Sequence, residues 1–370
     1  MHQDKKLRAG LFGVKAAQVA AAILLGLGVG VIVILLTGND PLKVYFEMFD
    51  KSFFQLYYFL QTLTRATPIA FSALGVIIAW RAGYINLGVE GQMIFGALAA
   101  TLVAVYLPGP APFVLLVSIL VGMAVGALYA MLGAFLYLTF NVPLVICTLM
   151  MNYIANYIAS YLVTYPLKDP ASTLSLQTEA FSESMKFPTL IEGTTFNFGF
   201  IILVLALLAI LFIIHRTRFG YESKMTGLNR EFARYGGIAD SKLMYRTMAL
   251  SGALAALGGI CEIYGVKLRY ADGMFTSASY AWTGLMAALI ASLAPVGAFF
   301  ASIFLSMLQV GGQSLQRTMG IPLQLATVIQ SSITLFVSVH LFGRSFDRLR
   351  ARIMRRGTAK QEASPKGESR

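Results

Sequence analysis

Long, uninterrupted runs of apolar residues recur from Ala16 to Leu341 and dominate the pattern of this 370-residue chain. The run IILVLALLAILFII, residues 201–214, does not alternate between apolar and polar positions. The strands of a membrane β-barrel alternate in this way over about ten residues, whereas a bilayer-crossing helix needs about 20 mostly apolar residues. The pattern therefore predicts an all-α polytopic membrane protein.

A window of bilayer length places about ten transmembrane helices along the chain. The predicted spans are Ala16–Leu36, Phe53–Trp80, Gly91–Leu107, Phe113–Phe140, Leu144–Val163, Phe198–Ile214, Met248–Tyr264, Trp282–Leu293, Gly297–Gln313 and Leu323–Phe342. The corresponding division is an N-terminal tail (1–15), a transmembrane domain (16–342) and a basic C-terminal tail (343–370).

Charge is scarce and unevenly distributed. Only 12% of the residues are charged while 57% are hydrophobic, and soluble proteins carry about twice that charged share. The net charge of +12 comes from basic residues at the N-terminus, in the loop 216–246 and after Arg344. By the positive-inside rule these three segments, including both termini, are expected in the cytoplasm, where anionic membrane lipid is their simplest partner. Nucleic acid is not expected, because no platform of aromatic and basic residues accompanies the tail.

Motifs for catalysis and metal binding are missing from the sequence. It contains no nucleotide-binding G-x-x-x-x-G-K-[ST], no H-E-x-x-H, no G-x-S-x-G and no paired-cysteine zinc spacing. Cys147 and Cys261 both fall in apolar runs, which favours packing. We therefore predict no catalytic residue, no metal and no cofactor. Intramembrane carboxylates are few, which argues against a proton-driven pump with an acidic relay.

Polar residues are concentrated at the junction RAGYINLGVEGQMIFGALAA, Arg81–Ala100, which includes Asn86, Glu90 and Gln92. Such residues at a membrane-helix junction are costly unless the fold uses them; the alternative is a short solvated loop. Asn152 and Asn156, four residues apart, share a helical face. They either line a polar route or form hydrogen bonds to a neighbouring helix.

The basic loop 216–246 contains a candidate docking element. Asn229 is placed to cap a short helix over Arg230–Tyr235, which Gly236 and Gly237 would end. The helix either docks a cytoplasmic partner or is a solvated connector. At the other ends of the spans we expect Arg65 to snorkel to the outer boundary and Glu262 to pair with Lys267 across one helical turn.

Three blocks resemble the permease subunits of bacterial ABC importers for nucleosides and simple sugars, which work with basic-membrane-protein-type lipoproteins. The blocks are Arg81–Ala100, Val145–Leu162, and Thr217–Ile238 followed by Met248–Ile260; together they extend over most of Thr62–Gly312. Within the third block, the positions that match the family's cytoplasmic coupling loop are Gly227, Asn229, Glu231, Ala233 and Gly237.

The resemblance implies a non-catalytic subunit of the bacterial inner membrane with three kinds of protein partner. These are cytoplasmic ABC ATPase subunits that grip the coupling loop, a second permease that is a copy or a paralogue, and an extracytoplasmic substrate-binding lipoprotein. It also implies that Asn86, Glu90 and Gln92 either line the inner end of the substrate pathway or brace the helix junction there without touching the ligand, and that Asn152 lies on the pathway.

The chain departs from the family pattern at NVPLVI (141–146) and at LIASLAPVG (289–297). These departures leave the ligand open among a nucleoside, a sugar and a riboflavin-like compound. A self-sufficient secondary transporter is the competing function, and it would need ion-coupling carboxylates in the middle of the membrane.

Overall fold

The structure is a computed structural model that describes residues 21, 23–173 and 175–336. The predicted tails 1–15 and 343–370 lie outside these residues. So do residues 16–20 and 22 of the first predicted span and residues 337–342 of the last. The helices are α1 Ile23–Leu36, α2 Pro41–Phe49, α3 Leu56–Arg81, α4 Val89–Tyr106, α5 Ala111–Phe140, α6 Leu144–Thr164, α7 Gly199–Arg216, α8 Arg218–Leu228, α9 Arg230–Tyr235, α10 Asp240–Glu262, α11 Met274–Ala278, α12 Tyr280–Ile290, α13 Pro295–Met319 and α14 (324–336). Glu183–Met185 is a 3₁₀ turn, and Asp50–Phe54 and Ile263–Lys267 are π-helical turns.

The all-helical prediction is confirmed. Within the described residues, seven helices are long and apolar enough to cross a membrane: α3, α4, α5, α6, α7, α10 with its π turn, and α13. The helix at the predicted span Trp282–Leu293 is α12, which rises only about 16 Å, against a hydrocarbon core of about 30 Å. The count of about ten and the cytoplasmic termini therefore stay predictions.

The chain divides into two compact units. One combines the chain ends, Met1–Pro41 and Gln324–Arg370, and the other is Leu42–Leu323. In the first unit α1 and α14 approach closely, because a Cβ on Gly26 would lie 2.7 Å from the Cα of Ile333. The features described below belong to the second unit.

In the larger unit α3 and α10 form the centre. Helix α3 packs against α10, α12 and α13, and α10 also packs against α4 and α5. Small residues allow these contacts: a Cβ on Gly252 of α10 would lie 2.2 Å from the carbonyl oxygen of Gly126 in α5. Close backbone approach through small residues is the usual way in which membrane helices pack.

Three interruptions in the helices position the polar residues of this unit. Between α3 and α4 the chain is extended or turned over residues 82–88. Helix α10 ends in the π turn Ile263–Lys267, and Ser279 separates α11 from α12 with a φ of 55°. Broken helices and π turns are both frequent at the functional sites of proteins.

Candidate functional site

Residues 82–88, which we call the re-entrant segment, pass from one end of the bundle into its interior. The Tyr84 hydroxyl reaches the first residue of α10, Asp240, at 2.7 Å. Two residues later, the Asn86 amide donates to Ser251 Oγ at 3.0 Å, roughly three turns or about 16 Å further along α10. Helix α4 therefore begins inside the bundle. The alternative of a solvated loop is wrong.

Side chains from other helices satisfy the backbone of this segment. Thr148 accepts from the N–H of Leu87 at 3.1 Å. Asn152 does more: its amide nitrogen donates to the Leu87 carbonyl at 2.8 Å, and its oxygen accepts from the N–H of Gly91 at 2.9 Å. Non-helical backbone at membrane depth is tolerated only where protein or a cavity surrounds it. Asn152 thus forms hydrogen bonds to a neighbouring element, one of the two roles that its spacing left open.

Asn86 and Gln92 form a closed amide network. Each donates to the other at 3.1 Å, and Asn86 also accepts from the N–H of Gly88 at 2.9 Å. Ser251 links them to α3 by donating to the Gly75 carbonyl at 2.7 Å. The exposed fractions are 0% for Asn86 and 1% for Gln92. In this conformation these two residues brace the junction.

Glu90 lies at the edge of the same network, in the first turn of α4 and 7% exposed. One carboxylate oxygen accepts from Thr276 at 2.6 Å and the other from the Trp282 indole N–H at 2.9 Å. A helix N-terminus favours a negative group. Thr276 and Trp282 are themselves exposed, and a cavity of about 10 Å³, room for one water, lies between Asn86, Glu90 and Trp282. Of the four residues predicted for the pathway, Glu90 is the one whose partners face the surface.

The loop 216–246 contains two helices, α8 and α9, and the first residues of α10; of these, α9 matches the prediction. Helix α9 spans Arg230–Tyr235, the Asn229 side chain accepts from the N–H of Phe232 at 3.0 Å, and Gly236 is its C-terminal cap. Gly237 follows with a φ of 80°, which glycine adopts without steric cost. The local capping pattern was sufficient to predict this helix.

Gly227 and Ala233 hold the two helices in place by packing. A Cβ on Gly227 would lie 2.0 Å from the carbonyl oxygen of Arg81, at the end of α3. Ala233 is buried. Glu231 is exposed and lies 3.6 Å from Arg234, one helical turn away. The predicted coupling residues thus have different roles: packing for Gly227 and Ala233, backbone shape for Asn229 and Gly237, and exposure for Glu231.

Four side chains, which we call the anchor cluster, attach α9 to the rest of the bundle: Tyr84, Tyr137, Arg230 and Asp240. Arg230 contacts both carboxylate oxygens of Asp240, at 3.0 Å from Nε and 2.5 Å from Nη2, and donates to the Tyr137 hydroxyl at 2.9 Å. The hydrogen bond to Asp240 raises the pKa of Arg230. Sequence inspection missed this cluster, because nothing in the spacing indicates that Arg230 and Asp240 face each other across the Gly236–Gly237 turn.

The opposite side of α9 is exposed and aromatic. Phe232 is 62% exposed and Tyr235 92% exposed. Neighbouring Leu228, at the end of α8, is also exposed. Exposed aromatic residues on an anchored helix are typical of a protein contact surface.

Two expectations concern the other end of the spans. Arg65 lies over the Tyr280 ring and donates to Gln309 Oε1 at 2.6 Å, and its snorkelling to the outer boundary stays a prediction. Glu262 accepts from the Tyr280 hydroxyl at 3.0 Å, and among the described residues no ion pair joins it to Lys267. The α-helical spacing assumed for that pair does not hold, since Ile263–Lys267 is a π turn.

Cys147 and Cys261 are buried free thiols, as expected from their positions in apolar runs. The described part of the chain contains no group of three or more His, Cys, Asp or Glu that could hold a metal ion.

Comparison with known proteins gives concordant matches. Residues 58–338 match the model of the family described as branched-chain amino acid transport system / permease component. The glucose ABC transporter permease TsgB13 of Haloferax volcanii is 30% identical over 342 residues, covering 88% of this chain and 89% of the relative. The guanosine ABC transporter permease NupP of Bacillus subtilis is 32% identical over 322 residues, covering 86% and 91%. The nucleoside ABC transporter permease NupB of Lactococcus lactis is 27% identical over 326 residues, covering 86% and 89%.

Proposed function

This chain belongs to the family of branched-chain amino acid transport system permease components, and we propose that the ligand it imports is a nucleoside. It is a permease subunit of an ABC transporter and a multi-pass protein of the cell membrane. The nucleoside assignment rests on the two relatives named for guanosine and nucleoside transport.

The anchored helix α9 is the contact for the ATPase subunits, which hydrolyse ATP while this chain remains non-catalytic. The observation that carries this assignment is the division of α9 into two sides. One side is fixed to α10 and the re-entrant segment through Arg230 and Asp240, and the other presents Phe232 and Tyr235. A rigid element with one fixed and one free side can pass a displacement from a partner to the helices behind it.

The anchor cluster leads directly to the proposed substrate pathway. Tyr84 belongs to the re-entrant segment, whose other end leads into α4 at Glu90. A movement of α9 that shifts Asp240 therefore also pulls on the backbone that holds Glu90. We assign to Glu90 the role of a pathway residue, and to Asn86, Gln92 and Asn152 that of holding the pathway backbone in the present conformation.

The remaining parts follow from this family role. The loop 216–246 lies in the cytoplasm within the permease domain 16–342, and the basic tail 343–370 lies against the anionic inner leaflet. A second permease, a copy or a paralogue, completes the pathway. A substrate-binding lipoprotein delivers the ligand from the outside.

The test is ATP-dependent uptake of radiolabelled guanosine into membrane vesicles that contain this chain, its ATPase, its partner permease and its lipoprotein. We expect uptake to need ATP and to be lost in a Phe232→Ala/Tyr235→Ala variant that still inserts in the membrane. The matched control is Tyr221→Ala, which removes an exposed aromatic ring from α8. Uptake that follows an ion gradient and ignores ATP would contradict the proposal.

A sugar is the second candidate ligand, because the relative named for glucose transport is as similar to this chain as the nucleoside permeases are. Glucose in place of guanosine in the same vesicles separates the two. A riboflavin-like compound is tested in the same way.

A further inference from the structure

We propose that a polar cavity at the end of the bundle opposite to α9 is a binding subsite for a neutral, polyhydroxylated solute such as a ribose or hexose ring. The cavity measures about 240 Å³ and is half-open. Its lining includes Gln61, Arg65, Glu262, Lys267, Tyr280 and Gln313. We call it the outer cavity. The inference rests on the proposed import function, which makes this the side from which a solute arrives.

The place of the cavity follows from the direction of the helices. Arg65 lies about 24 Å of helix rise before Arg81, and the end of α3 at Arg81 is the one that contacts Gly227 of the loop 216–246. Glu262 is likewise at the end of α10 that lies opposite to Asp240. With α9 in the cytoplasm, the outer cavity faces the outside.

Two of the helix interruptions build the cavity wall. The π turn Ile263–Lys267 contributes Val266 and Lys267. Tyr280 is the first residue of α12, directly after the left-handed Ser279. Discontinuous helices and π turns are where transporters and other proteins place ligand-binding groups.

The polar groups in the cavity have unused hydrogen-bonding capacity. Lys267, Gln61 and Gln313 form no side-chain hydrogen bond or ion pair within residues 23–173 and 175–336. Arg65 uses Nε for Gln309 and Nη2 for the Ala278 carbonyl, so its Nη1 remains available. Lys267 is exposed and Gln61 and Gln313 are half-buried, so water satisfies these groups when no solute is bound. A solute that carries hydroxyl groups can replace that water with its own hydrogen bonds.

The chemistry of the lining favours hydroxyl groups over an anion. Hydroxyls both donate and accept, so they can donate to the Glu262 carboxyl group and accept from Lys267, Arg65 and the two glutamine amides. A phosphate is negatively charged and presents mainly acceptor oxygens, which would lie against the oxygens of the Glu262 carboxyl group. The Nε and Nη2 edge of Arg65, which would grip a phosphate with two bonds, is already occupied.

The test labels a cysteine in the cavity of the intact transporter. A Gln313→Cys variant, assembled with its ATPase, partner permease and lipoprotein, is treated with a charged, membrane-impermeant methanethiosulfonate reagent. The probes are guanosine, glucose, guanosine monophosphate and inorganic phosphate at millimolar concentration. Ser184→Cys, exposed on the same chain and outside the cavity, is the control for general effects of the probes, and the unsubstituted chain controls for Cys147 and Cys261.

We expect guanosine or glucose to slow the labelling of Gln313→Cys at least fivefold, phosphate to leave it unchanged, and Ser184→Cys to react equally with every probe. Adding Glu262→Gln to Gln313→Cys should remove most of the protection, whereas adding Glu183→Gln, an exposed carboxylate outside the cavity, should preserve it. Protection by phosphate alone, or by none of the four probes, would overturn the subsite.

The labelling readout separates this inference from the proposed function. If vesicles show no ATP-dependent uptake but guanosine or glucose still protects Gln313→Cys, the subsite stands and the import function fails. If uptake is ATP-dependent and neither solute protects, the function stands and the subsite is overturned.

Discussion

The anchor cluster and the outer cavity lie at opposite ends of the same helices. They differ in how fully their charged side chains are hydrogen-bonded. In the anchor cluster, both carboxylate oxygens of Asp240 are engaged by Arg230. In the outer cavity, Lys267 forms no hydrogen bond or close ion pair within the described residues, and Glu262 accepts its hydrogen bond from Tyr280. A saturated cluster holds one geometry, whereas an unsaturated one retains groups for a ligand. We infer from this contrast that the anchor cluster transmits movements of α9 to the bundle, whereas the outer cavity binds a solute.

The largest effect is expected from Asp240→Leu, which takes the acceptor from Arg230 and Tyr84. Breaking a fully buried pair costs about 3–5 kcal/mol. Because the Arg230 side chain is 35% exposed and water can solvate it after the change, we expect no more than about 3 kcal/mol here. We expect a lower melting temperature and at least tenfold slower ATP-dependent uptake. Arg218→Leu, which removes an 89% exposed side chain from its pair with Glu222 in the same loop, should have little effect. Equal uptake and melting in both variants would remove the anchor cluster from the mechanism.

A smaller loss is expected from Asn152→Leu, which leaves the Leu87 carbonyl and the Gly91 N–H without their side-chain partner. We expect destabilisation of about 2 kcal/mol and reduced uptake, measured by thermal unfolding in detergent and by vesicle assay. Asn156→Leu, one turn later on the same face, loses a single 3.3 Å bond at an exposed site. If Asn156→Leu proved the more damaging variant, Asn152 would not be the residue that holds the re-entrant segment.

Gly227→Ala tests the packing of the loop against α3. Its Cβ would meet the Arg81 carbonyl at 2.0 Å, so the backbone must shift at a cost of about 1.5 kcal/mol. Gly236→Ala is the matched substitution, since its Cβ would find ordinary contact at 3.4 Å. We expect slower uptake at unchanged expression for Gly227→Ala alone, measured in the vesicle assay. Wild-type uptake in Gly227→Ala would mean that this contact is not needed for coupling.

The smallest effect on stability is expected from Lys267→Met, because its exposed ammonium group forms no hydrogen bond or close ion pair among the described residues. We expect a change within about 0.5 kcal/mol together with a several-fold higher KM for uptake. Lys168→Met, which removes a lysine from the loop that follows α6, should leave both quantities unchanged. A marked fall in melting temperature for Lys267→Met would show that the outer cavity, like the anchor cluster, serves structure.

The site was predictable to different degrees in its different parts. Helix α9 was predicted to the residue, because an Asn cap and a glycine stop act within one turn of the chain. The sequence indicated that the polar junction at Asn86, Glu90 and Gln92 is costly in a membrane. It did not indicate that these side chains are buried, because burial depends on which helices pack over them. The partners of Arg65 could not be predicted for the same reason: hydropathy indicates the depth of a residue in the membrane and not which neighbouring side chains it contacts.

The sequence by itself determined that this is an all-helical membrane protein and that Asn229 caps a short helix in the loop 216–246. The length of an apolar run and the capping of a helix depend on residues that are close in sequence. Both can therefore be predicted without knowing how the helices pack. Tertiary structure alone decided that residues 82–88 enter the bundle, that Arg230 forms an ion pair with Asp240, and that Glu262 accepts a hydrogen bond from Tyr280. These contacts join residues that are distant in sequence or separated by a turn, and only helix packing brings such groups to hydrogen-bonding distance.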